Sequence, residues 1–432
     1  MDKNKQANVH SLSYFGTISA GDKMTKNISF IHAADLHLDS PFQGLSHIPD
    51  HIFQHVQEST FIALDRLVQV AIDQQVDFVL LVGDLFDHEQ QSLKALIRLR
   101  NACEQLQRAN IPVFMSYGNH DHLQGHIHRV TYPDNVFIFP DEKVRSFVYE
   151  KNGQPLASIY GFSYEQQAVL DHKVTEYQIV NHQTPFHIAT LHGSIQSNTD
   201  HDTYAPFKLS ELTAKEFDYW ALGHIHQRQI LHRDPFVVYP GNIQGRHRNE
   251  QGQKGCYYVQ LSEVSTEMTF IPLQALTFSS LTVDLSSCQE IHQVEKHIQH
   301  ALAENKATKP TLFDLTLLSE REEHLTWEVN QYFDEIIDLI NEGNVQLDDW
   351  QYIYHYQFQH TPLDASSLPM GDHFIGELIS NIEETSLQQI LDELFHHRQG
   401  RKFLSPLNEQ EEQMIKQRAA HLLVDELLNT RR

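Results

Sequence analysis

VDFVLLVGDLFD, residues 76–87, decides the fold. Its core, Phe78–Val82, is an unbroken apolar run of strand length. Such a run reads as a strand buried on both faces, as in a parallel sheet. Gly83 then frees the chain to turn, and Asp84 stands where the strand stops. Upstream, ISFIHAAD (28–35) has the same form and also ends on an acid. Downstream, IPVFMSYGNHD (111–121) is a third apolar run ending in polar residues. Between the runs, FQHVQESTFIALDRLVQVAIDQ (53–74) and a stretch near 91–109 carry apolar residues at helical spacing. Strand, helix, strand, helix, strand predicts an α/β fold.

Past residue 130 the pattern changes. Short apolar runs at 136–140, 146–150, 157–164, 187–193, 218–226, 235–242 and 255–261 alternate with turn residues and read as further sheet strands. One domain is therefore expected over 27–275. From 280 to 432 the pattern is that of a smaller α+β domain: helical stretches at 289–305, 323–341, 373–396 and 408–429 around strands at 312–319 and 350–359. Residues 1–26 are polar, carry lysines without a following apolar core, and are expected to be a disordered extension rather than a secretory signal.

Bulk composition bounds the function. Of 432 residues, 40% are apolar, enough for a substantial core. Cys103, Cys256 and Cys288 are too few and too scattered for a disulfide framework or a thiolate zinc site, which fits a cytoplasmic location. No stretch reaches the length of an apolar membrane span, so no membrane partner is expected. The formal charge is −25, which argues against a chain that grips nucleic acid by a basic stripe alone. The excess is uneven: residues 321–400 hold 16 Asp and Glu against Arg321 and Arg398. Two divalent ions would restore positive charge at one point.

The polar residues fall where such ions need them. Five apolar strands run into Asp35-Leu36-His37, Gly83-Asp84-Leu85-Phe86-Asp87, Gly118-Asn119-His120-Asp121, Leu191-His192-Gly193 and Gly223-His224-Ile225-His226. In open α/β sheets, ligands collect at the carboxyl ends of strands, so five distant segments can share one spot. Carboxylate, imidazole and amide oxygen without thiolate suit manganese, iron or zinc. Two ions about 3.5–4 Å apart clamp a phosphodiester, and Asp84 is the natural carboxylate to join them. Each motif alone is ordinarily a turn or a surface loop. A second Gly-His-Ile-His at 125–128 illustrates this and is read as a non-ligand loop. The ordered conjunction of five, each after an apolar run, carries the inference.

This order of motifs resembles the calcineurin-like metallophosphoesterases over about 28–275. AADLHLDSPFQGL (33–45), YPGNIQGR (239–246) and EQGQKGCYYVQL (250–261) resemble the SbcD-type DNA repair exonucleases within them, and the DLHLDSPF form resembles their YhaO group. The resemblance implies a four-layer α/β/β/α sandwich with a smaller C-terminal α+β capping domain. It implies that one metal takes Asp35, His37, Asp84 and His226, and the other Asp84, Asn119, His192 and His224. His120 would then be the general acid, Asp87 would orient it by a hydrogen bond, and a metal-bridging hydroxide would be the nucleophile.

Two functions compete. One is a DNA exonuclease or endonuclease in repair, manganese-dependent by preference over iron or zinc, working on DNA with an SbcC-type coiled-coil ATPase. The family also includes homodimers. The alternative is a phosphodiesterase or phosphatase for a small molecule such as a cyclic nucleotide. Arg246 and His247 are candidate phosphate contacts, Tyr117 a packing residue, and the apolar face of 408–429 a candidate docking face.

Overall fold

A computed structural model gives the structure of the chain. It describes residues 26–42, 45, 48–87, 91–125, 130–196, 204–305, 307–344 and 349–360, with scattered positions from 381 to 419. The chain divides into two compact units, 1–360 and 361–432. His126 and His128 of the second Gly-His-Ile-His, the expected N-terminal extension to residue 25, and most of the helical stretches at 373–396 and 408–429 lie outside the described residues.

The first sheet is built on β1 (Asn27–Ala34), β2 (Phe78–Val82), β3 (Val113–Ser116) and β4 (Val136–Ile138), all parallel. Helices α1 (Asp50–Asp73) and α2 (Leu93–Arg108) make the crossovers. Ser92 caps α2 by accepting from the Ala95 amide at 3.1 Å. The apolar faces of both helices close over this sheet: Phe61, Leu64, Leu67, Leu99 and Leu106 meet Ile31, Val79, Leu81 and Met115. Each such side chain contributes about 1.5–3 kcal/mol by leaving water.

The second sheet repeats the design. Its strands are β5 (Arg145–Lys151), β6 (Gln154–Gly161), β7 (Phe186–His192), β8 (Tyr219–Gly223), β9 (Gln229–Arg233) and β10 (Phe236–Tyr239), with the short helix α3 (Leu209–Thr213) before β8. β6, β7, β8 and β10 run parallel, and β5 and β9 are antiparallel edges, in the order β5-β6-β7-β8-β10-β9. β11 (Gly255–Ser262) and β12 (Thr266–Pro272) return to the first sheet, giving β12-β11-β1-β2-β3-β4. The two sheets face each other across Phe30, Phe78, Leu80, Phe114, Ile159, Ile188, Tyr219 and Val259.

The sandwich expected from the sequence is present, with a thin fourth layer. The outer face of the second sheet is covered by the five-residue α3 and by loops carrying Tyr164, Val169, Val174, Tyr177 and Phe207. Aromatic bulk replaces helix there: Tyr177, Phe217 and Trp220 pack edge-on or tilted at ring distances of 5.0–6.1 Å.

A third, fully parallel sheet follows: β13 (Thr277–Asp284), β14 (Thr311–Ser319) and β15 (Gln351–His360). α4 (Ile291–Glu304), α5 (Glu323–Val329) and α6 (Tyr332–Asn344) connect its strands. The sequence suggested one helix over 323–341. The chain instead breaks at Asn330–Gln331, where Gln331 takes a φ of 61°. This sheet shares a core with the first helix. Phe42, Ile48, Ile52 and Val56 pack with Leu276, Phe278, Leu312 and Trp350, and Arg66 reaches the carbonyl of Leu273 at 3.1 Å. Among the described residues, no helix is long and apolar enough to cross a membrane.

Candidate metal centre

The parallel strands β1, β2, β3, β7 and β8 all end at one place, and each end delivers side chains there. The turns that aim them are strained. Asp35, His37, Asp84 and His224 have φ values of 51°, 42°, 48° and 97°. Left-handed backbone is uncommon for residues with a Cβ and costs about 1–3 kcal/mol where it persists. The strand ends also crowd one another. Gly83, at φ 72°, leaves no room for a Cβ beside the ring of His192, and a Cβ on Gly223 would overlap the Val82 carbonyl. Glycine at these two positions is what lets the two sheets meet under the site.

The side chains form two adjoining groups. In one, metal-ligating atoms of Asp35, His37 and His226 lie within 4.8 Å of one another. In the other, those of Asp84, His192 and His224 do. Asn119 joins the second group: its Oδ1 is 3.0 Å from His192 Nε2 and 3.3 Å from His224 Nδ1. Asp84 stands between the groups, with Oδ2 at 3.4 Å from His192 Nε2 and 3.8 Å from His37 Nε2. Asp35 ties the groups together, both of its oxygens accepting from the His224 amide at 2.9 and 3.1 Å. All seven residues expected to hold metal are therefore gathered at one site.

The donor set fits two divalent ions. Asp35 and Asp84 are fully buried, and a buried carboxylate needs a compensating positive centre. Burial raises the Asp35 carboxyl, whereas for Asp84 the neighbouring His192, His37 and His120 outweigh burial and hold it well below the usual range. Burial, aided by the Arg246 charge, lowers His37 to about 3, and burial lowers His224 to about 3, so both rings are neutral as ligands must be. Burial also opposes a charge on His192, but Asp84 and Asp35 overcome it and raise that ring to about 9. Its Nε2 thus faces oxygen acceptors that call for a positive centre, proton or metal. The Nε2 atoms of His37 and His226 are 3.0 Å apart. That is the separation of two imidazoles at about a right angle on one ion with bonds of about 2.1 Å.

His120 stands at the rim, partly exposed, its ring 5.0 Å from that of His37 and nearly perpendicular to it. Its Nδ1 donates to the Asp87 carbonyl at 2.8 Å. A carbonyl only accepts, so the hydrogen sits on Nδ1 and the other ring nitrogen is left for proton transfer. Asp87 makes two different contacts here. The oxygen that orients His120 is the main-chain one, while the carboxylate lies 3.2 Å from His37 Nδ1 and pairs with Arg246. The guanidinium draws the carboxylate toward His37.

Burial and contact assign plainer roles to other residues near the motifs. His32 is a core residue, bonded to the Tyr219 hydroxyl at 3.0 Å and the Leu222 carbonyl at 3.1 Å. Tyr117 is buried in the first core. His88 lies outside the described residues. His247 is half exposed, 3.4 Å from Glu250. Asp121 shapes two loops at once, its carboxylate accepting from the amides of Leu85 and Gly118 at 2.7 Å each. Sequence reasoning passed over Glu250. It is buried, its Oε1 accepts from His226 Nδ1 at 2.6 Å, and its Oε2 accepts from Asn242 at 2.8 Å and the Arg246 amide at 2.7 Å. The signal available was its place in the EQGQKG segment, just after the YPGN turn.

Known proteins resemble this chain in sequence and, more loosely, in structure. Residues 28–228 match the family model described as calcineurin-like phosphoesterase. The uncharacterized metallophosphoesterase YhaO of Bacillus subtilis (strain 168) is 34% identical over 406 residues, spanning 94% of this chain and 99% of that protein. A crystal structure of a dimetal phosphatase from Danio rerio is similar at 12% identity and a TM-score of 0.36, covering 57% of this chain and 96% of the other.

Proposed function

Because the chain belongs to the calcineurin-like metallophosphoesterases, which hydrolyse phosphoesters at a pair of divalent ions, we propose that its substrate is a DNA phosphodiester and that His120 protonates the leaving oxygen. The observation that carries the acid role is the fixed tautomer of His120 at the rim of a buried ligand cluster. When bound, the two ions polarise the phosphoryl oxygens and supply hydroxide at neutral pH. Asp35, His37, Asp84 and His226 hold one ion, and Asp84, Asn119, His192 and His224 the other. Manganese is the proposed metal, since the set offers oxygen and imidazole without thiolate.

The DNA reading rests on the SbcD-type motifs at 33–45, 239–246 and 250–261. The acidic charge counts against this reading unless the grip on DNA is shared. Arg246, the arginine of YPGNIQGR, pairs with Asp87 and Glu250 and has little charge left for a phosphate. In a chain of net charge −25, grip on DNA then falls to the ions and to a partner, proposed to be a coiled-coil ATPase of the SbcC type. A cytoplasmic setting suits three cysteines that are all free and buried.

The test is digestion of end-labelled linear DNA with manganese, comparing wild type with His120→Ala. Chelator should abolish cleavage, and the variant should lose about 10²–10⁴-fold in kcat at unchanged metal content. Cleavage should also fall steeply with salt, as binding to a polyanion does. Turnover of bis-nitrophenyl phosphate without cleavage of DNA would keep the metal site but move the substrate to a small molecule or make DNA cleavage depend on the partner.

A further inference from the structure

Three charged side chains converge on the outer edge of the His37–His226 group. Asp87 lies 3.2 Å from His37 Nδ1. Glu250 lies 2.6 Å from His226 Nδ1. Arg246 pairs with the Asp87 carboxylate and lies 3.6 Å from the Glu250 carboxylate. All three are at least mostly buried, with side-chain exposures of 9, 6 and 13%. The segment that supplies Glu250 grips His226 a second time, through Lys254 Nζ, which donates to the His226 carbonyl at 2.9 Å.

We propose that Asp87, Arg246 and Glu250 form a clasp of positioning residues that sets the affinity of one metal position only, the one that takes His37 and His226. The proposal rests on the two-ion reading above. Glu250 accepts the hydrogen of His226 Nδ1, while the Asp87 carboxylate lies 3.2 Å from His37 Nδ1, and a carboxylate so placed behind an imidazole favours the tautomer whose Nε2 lone pair turns inward. Arg246 keeps the two carboxylates from repelling each other and couples the rings of His37 and His226, which lie 189 residues apart in sequence. The other position is supported differently among the described residues: the carboxylate beside the outer nitrogen of His192 is Asp35, itself a proposed ligand, at the longer distance of 3.8 Å. His192 donates its Nδ1 hydrogen to the Val82 carbonyl at 3.2 Å, an oxygen fixed by the sheet, and His224 lies against the Tyr204 ring at 4.8 Å. Loss of the clasp should therefore be felt on one side.

Manganese alone, titrated calorimetrically into the metal-free full chain, decides it. Wild type should take up two ions. Glu250→Ala should weaken one binding step about 10–100-fold and leave the other within about threefold. Glu250→Gln, which keeps an acceptor for Nδ1, should recover part of the loss. Combined with His37→Ala, Glu250→Ala should add little; combined with His192→Ala, it should add its full effect. A merely structural glutamate would weaken both steps together, and that result, or no change at either step, overturns the clasp. Metal-free melting temperature serves as the folding control. If Glu250→Ala does not fold, Arg246→Gln carries the same comparison. Failure of wild type to bind two ions would instead overturn the two-ion reading, visible before any variant is compared.

Discussion

In one half of the metal centre the outer nitrogens of His37 and His226 lean on carboxylates, Asp87 at 3.2 Å and Glu250 at 2.6 Å. In the other half His192 leans on the main-chain oxygen of Val82 at 3.2 Å, and Asn119 bridges His192 and His224. Both halves use aspartate and histidine, and the second adds Asn119, but the supports differ. The second half draws on the ends of β2, β3, β7 and β8, and a strand supplies the outer partner of His192. The first half needs a segment around 239–255 to fold over it and three charges to neutralise one another. Its geometry can be changed by one side chain without disturbing a sheet. The lesson is that a two-ion site need not be held as one rigid object.

The strongest way to break this distinction is to remove what both halves share. Asp84→Asn keeps the shape but takes away the charge between them, and both ions should be lost, with activity falling by roughly 10³-fold or more. Metal analysis after desalting checks it, and retention of one tight ion would mean that Asp84 serves a single half.

A smaller effect sharpens the comparison through pH. His192 is held protonated up to about 9 because Asp84 and Asp35 outweigh its burial. A metal must displace that proton, so below pH 9 affinity at the His192 position should rise about tenfold per pH unit and level off above it. Titration of manganese binding between pH 6.5 and 8.5 reads this directly. A flat profile at both steps would show that the proton on His192 is not in competition with the ion.

The smallest expected effect concerns the backbone-anchored half. The Tyr164 hydroxyl donates to the His192 carbonyl at 2.8 Å in a fully buried setting. Tyr164→Phe should cost about 1–2 kcal/mol of stability. Both manganese affinities should hold within about threefold, because the hydroxyl touches the main chain and not the ring. A selective loss of one ion in that variant would show that the sheet-held half is as adjustable as the clasped one.

How much of this could be read from sequence follows from the same contrast. The strand-end ligands were legible because a buried strand must be apolar, so Asp35, Asp84 and His192 stand out against ISFIHAA, FVLLV and FHIATL. Glu250 was not. An acid among Arg, Asn and Gln in RNEQGQK looks like a solvated loop, and only the fold shows that it is buried against His226. Asp87 was picked out as a partner of His120, but its further contacts with His37 and Arg246 were not, since nothing local says that residues 50 and 159 positions away will meet its carboxylate. Among the strands, β9, β12 and β13 escaped for a related reason. Each is half-exposed, and QILHR, TEMTFIP and TFSSLTVD mix polar and apolar residues without a buried run.

The left-handed turns at Asp35, His37, Asp84 and His224 have a consequence for the protein's history. Glycine would relieve the backbone at each of these positions, yet glycine carries no ligand. Keeping the ligand therefore means keeping the strain, and selection for chemistry and selection for stability point in opposite directions at the same four residues. A lineage that no longer needed the reaction would be expected to let glycine in at these turns first. Across a set of related genes, that pattern would mark which descendants had given up hydrolysis while keeping the fold.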